Sequence, residues 1–231
     1  MQYLHRIKII VFLLFVFQTE LYSQGRQHNP NYDLQKIHFG FSIVPNHAKS
    51  KVILAKDFYI KDSVRSITPV GFAGFGFGGI ADFRIGKYFT VRWLPQIQFS
   101  QRNYKFIFSD REEIAKTETV SLDQNFLLKY HSSRHGNHRV YLVGGVKYTH
   151  DFSSNESTIR SPNRAMIPYK RESFFYEFGF GYDHFGTFAL ISTEFKMSNS
   201  ITNMISKDPY IYTSSIDRIQ ARLFQISFHF Q

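Results

Sequence analysis

From Ile37 onward, apolar and polar residues alternate with a period of two in one stretch after another. Ile37, Phe39, Phe41 and Ile43 alternate with His38, Gly40 and Ser42. Ala73, Phe75, Phe77, Ala81, Phe83 and Ile85 alternate with Gly74, Gly76, Gly78, Asp82 and Arg84. The same holds for Phe89 to Phe99 against Thr90, Arg92, Gln96, Gln98 and Ser100, and for Val120 to Tyr130 against Ser121, Asp123, Asn125 and Lys129. Val140, Leu142, Val146 and Tyr148 alternate with Gly145, Lys147, Thr149 and Asp151; Phe174 to Tyr182 with Glu177, Gly179, Gly181 and Asp183. Ile191, Phe195 and Met197 alternate with Ser192, Glu194 and Lys196, and the chain ends on Phe224, Ile226, Phe228 and Phe230 against Gln225, Ser227 and His229. A period of two is that of a β-strand with two unlike faces, so the pattern predicts eight strands.

The connections between them alternate as well. Three are short, around Gly86-Lys87, Arg134 to His138, and Phe185-Gly186. Four are long and polar: Pro45 to Pro69, Asn103 to Thr119, Phe152 to Glu172, and Ser198 to Asp217. Short turns at one end and long loops at the other are the build of a bacterial transmembrane barrel. A soluble β-sandwich also alternates, but it would bury two apolar faces. Here one face is aromatic along nearly every strand, as a lipid-facing band would be, and the other carries charges of both signs in mid-strand. The expected fold is an all-β, antiparallel, up-and-down transmembrane β-barrel of about eight strands. An even strand number puts both termini at the short-turn end, in the periplasm.

The N-terminus supplies the route. His5, Arg6 and Lys8 precede an apolar core from Ile9 to Phe17, and Gln18 to Ser23 turn polar. This is the layout of a signal peptide, with cleavage expected after Ser23. The organisation is then a signal peptide at 1–23, a short periplasmic segment at 24–36 and a barrel over 37–231. Removal of Arg6, Lys8 and Glu20 leaves the chain strongly basic, since the whole carries a formal charge of +10. Beside an export signal, that charge suits anionic lipid or lipopolysaccharide rather than nucleic acid. The chain has no cysteine, which excludes disulfides, thiolate metal sites and a cysteine nucleophile. With 26 Phe and 14 Tyr against one Trp, its aromatic content fits strands and membrane interfaces.

Eight strands leave an interior only wide enough for side chains. The inward set includes Asp82, Arg84, Arg92, Gln96, Asp123, Lys129, Lys147, Asp151, Glu177, Asp183, Glu194, Lys196 and His229. Unpaired charges in a closed interior are costly, so these are expected to pair as a salt-bridged core, in preference to an ion or proton path. Gly74, Gly76 and Gly78 would make room for bulky neighbours such as Arg92, or let the strand bend. Catalytic patterns are absent: there is no Gly-x-Ser-x-Gly elbow and no His-Glu-x-x-His pair. The glycine run Gly74 to Gly79 lacks the lysine of a phosphate loop. His131, His135 and His138 cluster near a predicted turn and read as solvated rather than metal-binding. No catalytic residue, metal or cofactor is expected, although lipases, proteases and acyl transferases do occur on such barrels.

The chain also resembles the PorT/SprT outer-membrane proteins of Bacteroidota. The resemblance is carried by His38 to Phe41, the Asp82 to Arg92 hairpin, Pro95 to Arg102, Phe126 to Tyr130, Tyr141 to Gly145, Tyr176 to Gly181 and the ending Ser227 to Phe230. It spans the mature chain in order and is weakest in the long loops. It implies a Gram-negative outer-membrane protein acting as a non-catalytic accessory or assembly component of protein export by the type IX secretion system, linked to gliding motility. It also implies other secretion-system proteins as partners. The barrel insertion machinery would act during biogenesis, since a C-terminal aromatic strand is the kind of signal it reads. Phe58, Tyr59, Tyr104, Tyr169, Arg171, Tyr210 and Tyr212 are, on composition, the loop residues expected to make contacts. Two other functions remain open: a general small barrel for adhesion or envelope integrity, and a barrel enzyme.

Overall fold

The computed structural model describes residues 27–56, 58, 64–154, 167–206 and 211–231. The expected signal peptide and two of the expected contact residues, Tyr59 and Tyr210, lie outside them. The strands are β1 (Ile37–Leu54), β2 (Ser66–Val70), β3 (Phe72–Arg84), β4 (Phe89–Ile107), β5 (Glu112–His131), β6 (His138–Asp151), β7 (Glu172–Phe185), β8 (Leu190–Ser200) and β9 (Ile216–Phe230). From β3 to β9 each strand pairs antiparallel with the next, and β1 pairs with both β3 and β9, so the sheet closes into a ring of eight. The ninth element, β2, is a short continuation of β3 that pairs only with β4. Over the height of the ring closure pairs both edges of each strand, which is what lets strands stand in a bilayer.

Within the ring the alternation places aromatic and aliphatic side chains outward. Phe39, Phe41, Phe75, Phe77, Phe126, Phe178, Phe180 and Phe228 are all exposed, while Asp82, Arg92, Lys129, Glu194 and His229 are buried inside. On β5 the outward run extends from Val120 to Tyr130, apolar but for Gln124, which accepts the Trp93 indole N–H at 2.9 Å. The run rises about 25 Å once strand tilt is allowed for, the height of a barrel's lipid-facing band.

Strands β1, β4, β5 and β9 are longer than a membrane crossing requires, and above the band their polarity inverts. On β4, Gln101 and Lys105 face outward while Tyr104 and Phe106 are buried inward; on β5, Lys116 and Glu118 are exposed while Ala115 is buried. The boundary falls between the outward pairs Phe99/Val120 and Gln101/Glu118. On the other side of the barrel it falls between His47/Phe224 and Lys49/Arg222. Much of the expected long loops is therefore strand: β1 reaches Leu54, and β4 and β5 continue to a four-residue turn between Ile107 and Glu112. The expected loops 45–69 and 103–119 shrink accordingly.

The two ends close differently. At the turn end, a one-turn 3-10 helix (Tyr32–Leu34) tucks under the barrel. Tyr32 is buried, stacked on His38 at 3.8 Å and edge-on to Phe185 at 5.4 Å. At the loop end, Ile167 and Tyr169 before β7, Met204 and Ile205 after β8, and a helical turn α1 (Ile211–Ser214) fold inward over an apolar cluster with Phe58, Tyr104, Phe106, Tyr169, Met204, Tyr212 and Ile219 at its centre.

Candidate functional site: the barrel interior

The inward faces of the strands meet in a ladder of charges. Asp82 on β3 and Arg92 on β4 are directly opposite in register, and the carboxylate takes both Nε and Nη2 of the guanidinium at 2.8 Å. Arg92 Nη1 reaches Glu194 on β8 at 2.8 Å, and both side chains are fully buried. Lys196 approaches Glu177 at 3.1 Å, and Lys147 pairs with Asp123 at 3.1 Å. Nearer the turn end, Asp183 receives Lys129 at 2.8 Å, Arg139 at 2.9 Å and the hydroxyl of Ser192 at 2.6 Å. Among the described residues six buried carboxylates, Asp82, Asp123, Asp151, Glu177, Asp183 and Glu194, are thus balanced by six buried bases, Arg92, Arg102, Lys129, Arg139, Lys147 and Lys196. The balance matters, because a desolvated charge is tolerated only with its partner.

Tyr141 joins the two groups. Its hydroxyl donates to Glu194 at 3.2 Å, and its ring lies 3.8 Å from the ammonium of Lys129. That position requires Gly181, where a Cβ would fall 2.3 Å from Cζ of Tyr141. Beside it, Ile80, Leu94, Leu127 and Val143 form a small apolar layer with Tyr141 that completes the filling. His229 lies 3.5 Å from Glu194 and contacts Ser42 at 2.7 Å. Gly74, Gly76 and Gly78 make room for different neighbours from those expected: the closest atoms belong to Asn46, Gln96, Gln98 and adjoining backbone rather than to Arg92.

Of the ten residues expected in the interior network, Asp82, Arg92, Asp123, Lys129, Lys147, Glu177, Asp183, Glu194 and Lys196 are brought together in the lumen. Arg84 is placed differently. It sits at the turn-end rim, partly exposed, and pairs with Asp33 at 2.9 Å. Asp33 also takes Arg139 at 3.1 Å, tying the N-terminal segment to the ladder. Burial, with the carboxylates of Asp82 and Asp183 nearby, holds the Tyr32 phenol well above its ordinary value, so it stays a neutral plug. Sequence reasoning missed Asp33, Arg139 and Tyr141. Arg139 carries the inward parity of β6 one step before the first residue assigned to that strand, and that signal could have found it.

Four of the seven expected contact residues are placed differently from the expectation. Phe58, Tyr104, Tyr169 and Tyr212 are buried in the lid, not displayed on the loops. The Tyr104 hydroxyl donates to Ser50 at 2.7 Å and contacts the Tyr169 hydroxyl, and Tyr212 packs edge-on against Phe106 at 5.3 Å. They are buried because their strands and loops rise above the band, where the inward side is the apolar one. Arg171 is exposed. His135 and His138 bridge to each other in the turn, whereas His131 is buried at the end of β5. Among the described residues no three His, Cys, Asp or Glu side chains gather as a metal site.

A family model described as an outer membrane protein beta-barrel domain matches residues 23–206. No curated protein matches the chain. Among solved structures, it is similar to the outer membrane protein OprG from Pseudomonas aeruginosa, at 13% identity over 84% of this chain and 93% of that one, with a TM-score of 0.46. It is also similar to Neisserial surface protein A, at 9% identity over 84% of this chain and 98% of that one, with a TM-score of 0.43.

Proposed function

The chain belongs to the outer membrane protein β-barrel domain family, and from that premise we propose that it is a closed, non-catalytic accessory barrel of protein export, serving type IX secretion and gliding motility as its resemblance to the PorT/SprT proteins implies. The observation that supports this reading is the filled interior. Arg92 and Glu194 cross the lumen, Tyr32 closes one end and the aromatic lid closes the other, so no cargo passes through the barrel. What remains available is its surface. In this reading the signal peptide is removed on export, the insertion machinery places the barrel, and the turn end with both termini faces the periplasm. Leu34, Ile85 and Phe188 are exposed there, Phe188 at 98%, and form the apolar rim that other secretion proteins would meet.

A second reading, adhesion or envelope integrity, is favoured by the β4–β5 ribbon, which rises past the apolar band. One experiment separates them. Deleting the gene removes secreted cargo under the first reading. Under the second it leaves the secretome intact and alters adhesion or permeability. The purified protein should also migrate faster unboiled than boiled. Replacing serines and histidines of the loops and rim should leave function whole, and loss on any one of them would restore the enzyme reading.

A further inference from the structure

On the outer wall, where β1 and β9 leave the apolar band, the register sets Lys49 directly opposite Arg222, with Lys51 and Arg218 further along the same ribbon. All four side chains are exposed. Like charges facing each other across two strands are destabilising unless an anion lies with them. The register sets no carboxylate opposite Lys49, Lys51 or Arg222, and Arg222 donates to the neutral Asn199 at 2.8 Å. The height of the cluster is fixed by the inversion of polarity, since one step lower in the register the outward pair is His47 and Phe224. The cations therefore sit at headgroup level.

Immediately beneath them the wall is concave. A groove of about 580 Å³ runs across β1, β9, β8 and β7, lined by His47, Phe224, Ile226, Met197, Phe195 and Phe178. His47 and Phe224 belong both to the groove's rim and to the base of the cationic cluster. Cations above and an apolar trough below match one molecule, a phosphorylated lipid with its phosphate on the cluster and an acyl chain along the groove.

We propose that the β1–β9 wall is a specific site for the phosphorylated lipid of the outer leaflet, the phosphorylated glycolipid anchor of lipopolysaccharide. The assignment rests on the orientation adopted above, with the loop end outward, and not on any role in secretion. Charge complementarity selects this occupant over a second barrel, whose own wall would bring the same cations to the interface.

Purified protein in detergent, incubated with lipid A and released for native mass spectrometry, tests this without reference to secretion. Lipid A should remain bound, and its dephosphorylated form and phosphatidylethanolamine should not. The double variant Lys49→Ser/Arg222→Ser, checked for its heat-dependent gel shift, should retain about tenfold less lipid A or lower still. Filling the groove with Met197→Trp should weaken retention with the cations intact. Equal binding of the dephosphorylated lipid, undiminished binding by the double variant, or full displacement by inorganic phosphate would each overturn the assignment. So would a doubled mass in place of a lipid adduct. A secretome unchanged by gene deletion would sink the export reading and leave this one standing.

Discussion

Arg92 on β4 and Glu194 on β8 meet at 2.8 Å although their strands lie on opposite sides of the ring. The pair is a cross-brace through the lumen, and each member has a second partner on its own side, Asp82 for Arg92 and His229 for Glu194. Removing Glu194 alone leaves a guanidinium half-satisfied in a dry interior. Glu194→Ala should destabilise the barrel by about 3–5 kcal/mol, measured by urea titration of the heat-dependent gel shift. Replacing both by apolar residues, Arg92→Met with Glu194→Leu, should recover part of that loss, although Asp82 then needs a new partner. Simple additivity of the two single variants would show that the brace does not act as a unit.

Nine of the ten expected interior residues were legible because charges on an otherwise aromatic strand have only one dry place to go, and parity assigns them to it. Asp82 and Arg92 are the clearest instance. Tyr104 and Phe106 were illegible for a related reason. They alternate with Asn103 and Lys105, but with the faces exchanged, since outward now means water and inward means the lid. A strand whose polarity flips midway reads as a polar loop, and the expectation that Tyr104 is displayed on one followed from that. Tyr141 was missed because it is inward and apolar beside outward Val140 and Leu142, so no alternation marks it. Asp33 lies in a segment with no period at all.

The conductance of the protein follows from the same filling. In planar bilayers the full barrel should show no single-channel steps. A chain without residues 24–36 should also stay silent, because the ladder from Asp183 to Glu177 occupies the lumen without help from Tyr32 and Asp33. Discrete openings in the shortened chain would mean that the N-terminal segment, not the ladder, is the seal.

That segment nevertheless contributes stability. Tyr32 packs against His38, Phe185 and Leu190. Tyr32→Ala should cost about 3 kcal/mol in the same urea titration and speed tryptic cleavage of the N-terminal segment at Lys36. Asp33→Asn should cost less, because Arg84 and Arg139 keep other acceptors at Gly86 and Asp183.

Gly181 tests the geometry of the joint between the two halves of the ladder. A methyl there collides with the Tyr141 ring, which is held by Glu194 and Lys129 and cannot swing freely. Gly181→Ala should destabilise by about 1–3 kcal/mol, the usual range for overpacking. Combining it with Tyr141→Val should relieve the clash, so the double variant should be more stable than the sum of its parts. Full additivity would mean that the strand simply shifts to admit the methyl.

The lid offers a pH dependence that can be worked out in sign. Tyr212 donates to Glu113 at 2.5 Å, and Arg111 adds Nε at 2.7 Å. The Tyr212 hydroxyl first, and Arg111 with it, hold the Glu113 carboxyl below its ordinary value. A carboxylate whose folded value is depressed contributes its stabilisation above the unfolded value, near pH 4.3, and loses it as pH falls through the folded value. Glu113 is partly exposed, at 26% of its side chain, and sits at the end of the β4–β5 ribbon, so the effect is local to the lid rather than global. The tether between the β4–β5 ribbon and α1 should hold at neutral pH and loosen below about pH 4, exposing the segment around Tyr212 to pepsin. Glu113→Gln should remove this step, because its amide neither titrates nor attracts Arg111. Its lid should be cut at a rate that no longer changes with pH beyond the protease's own profile. A wild-type rate equally flat would show that the buried aromatic packing of Tyr212 on Phe106 and Phe108 holds the lid without the carboxylate.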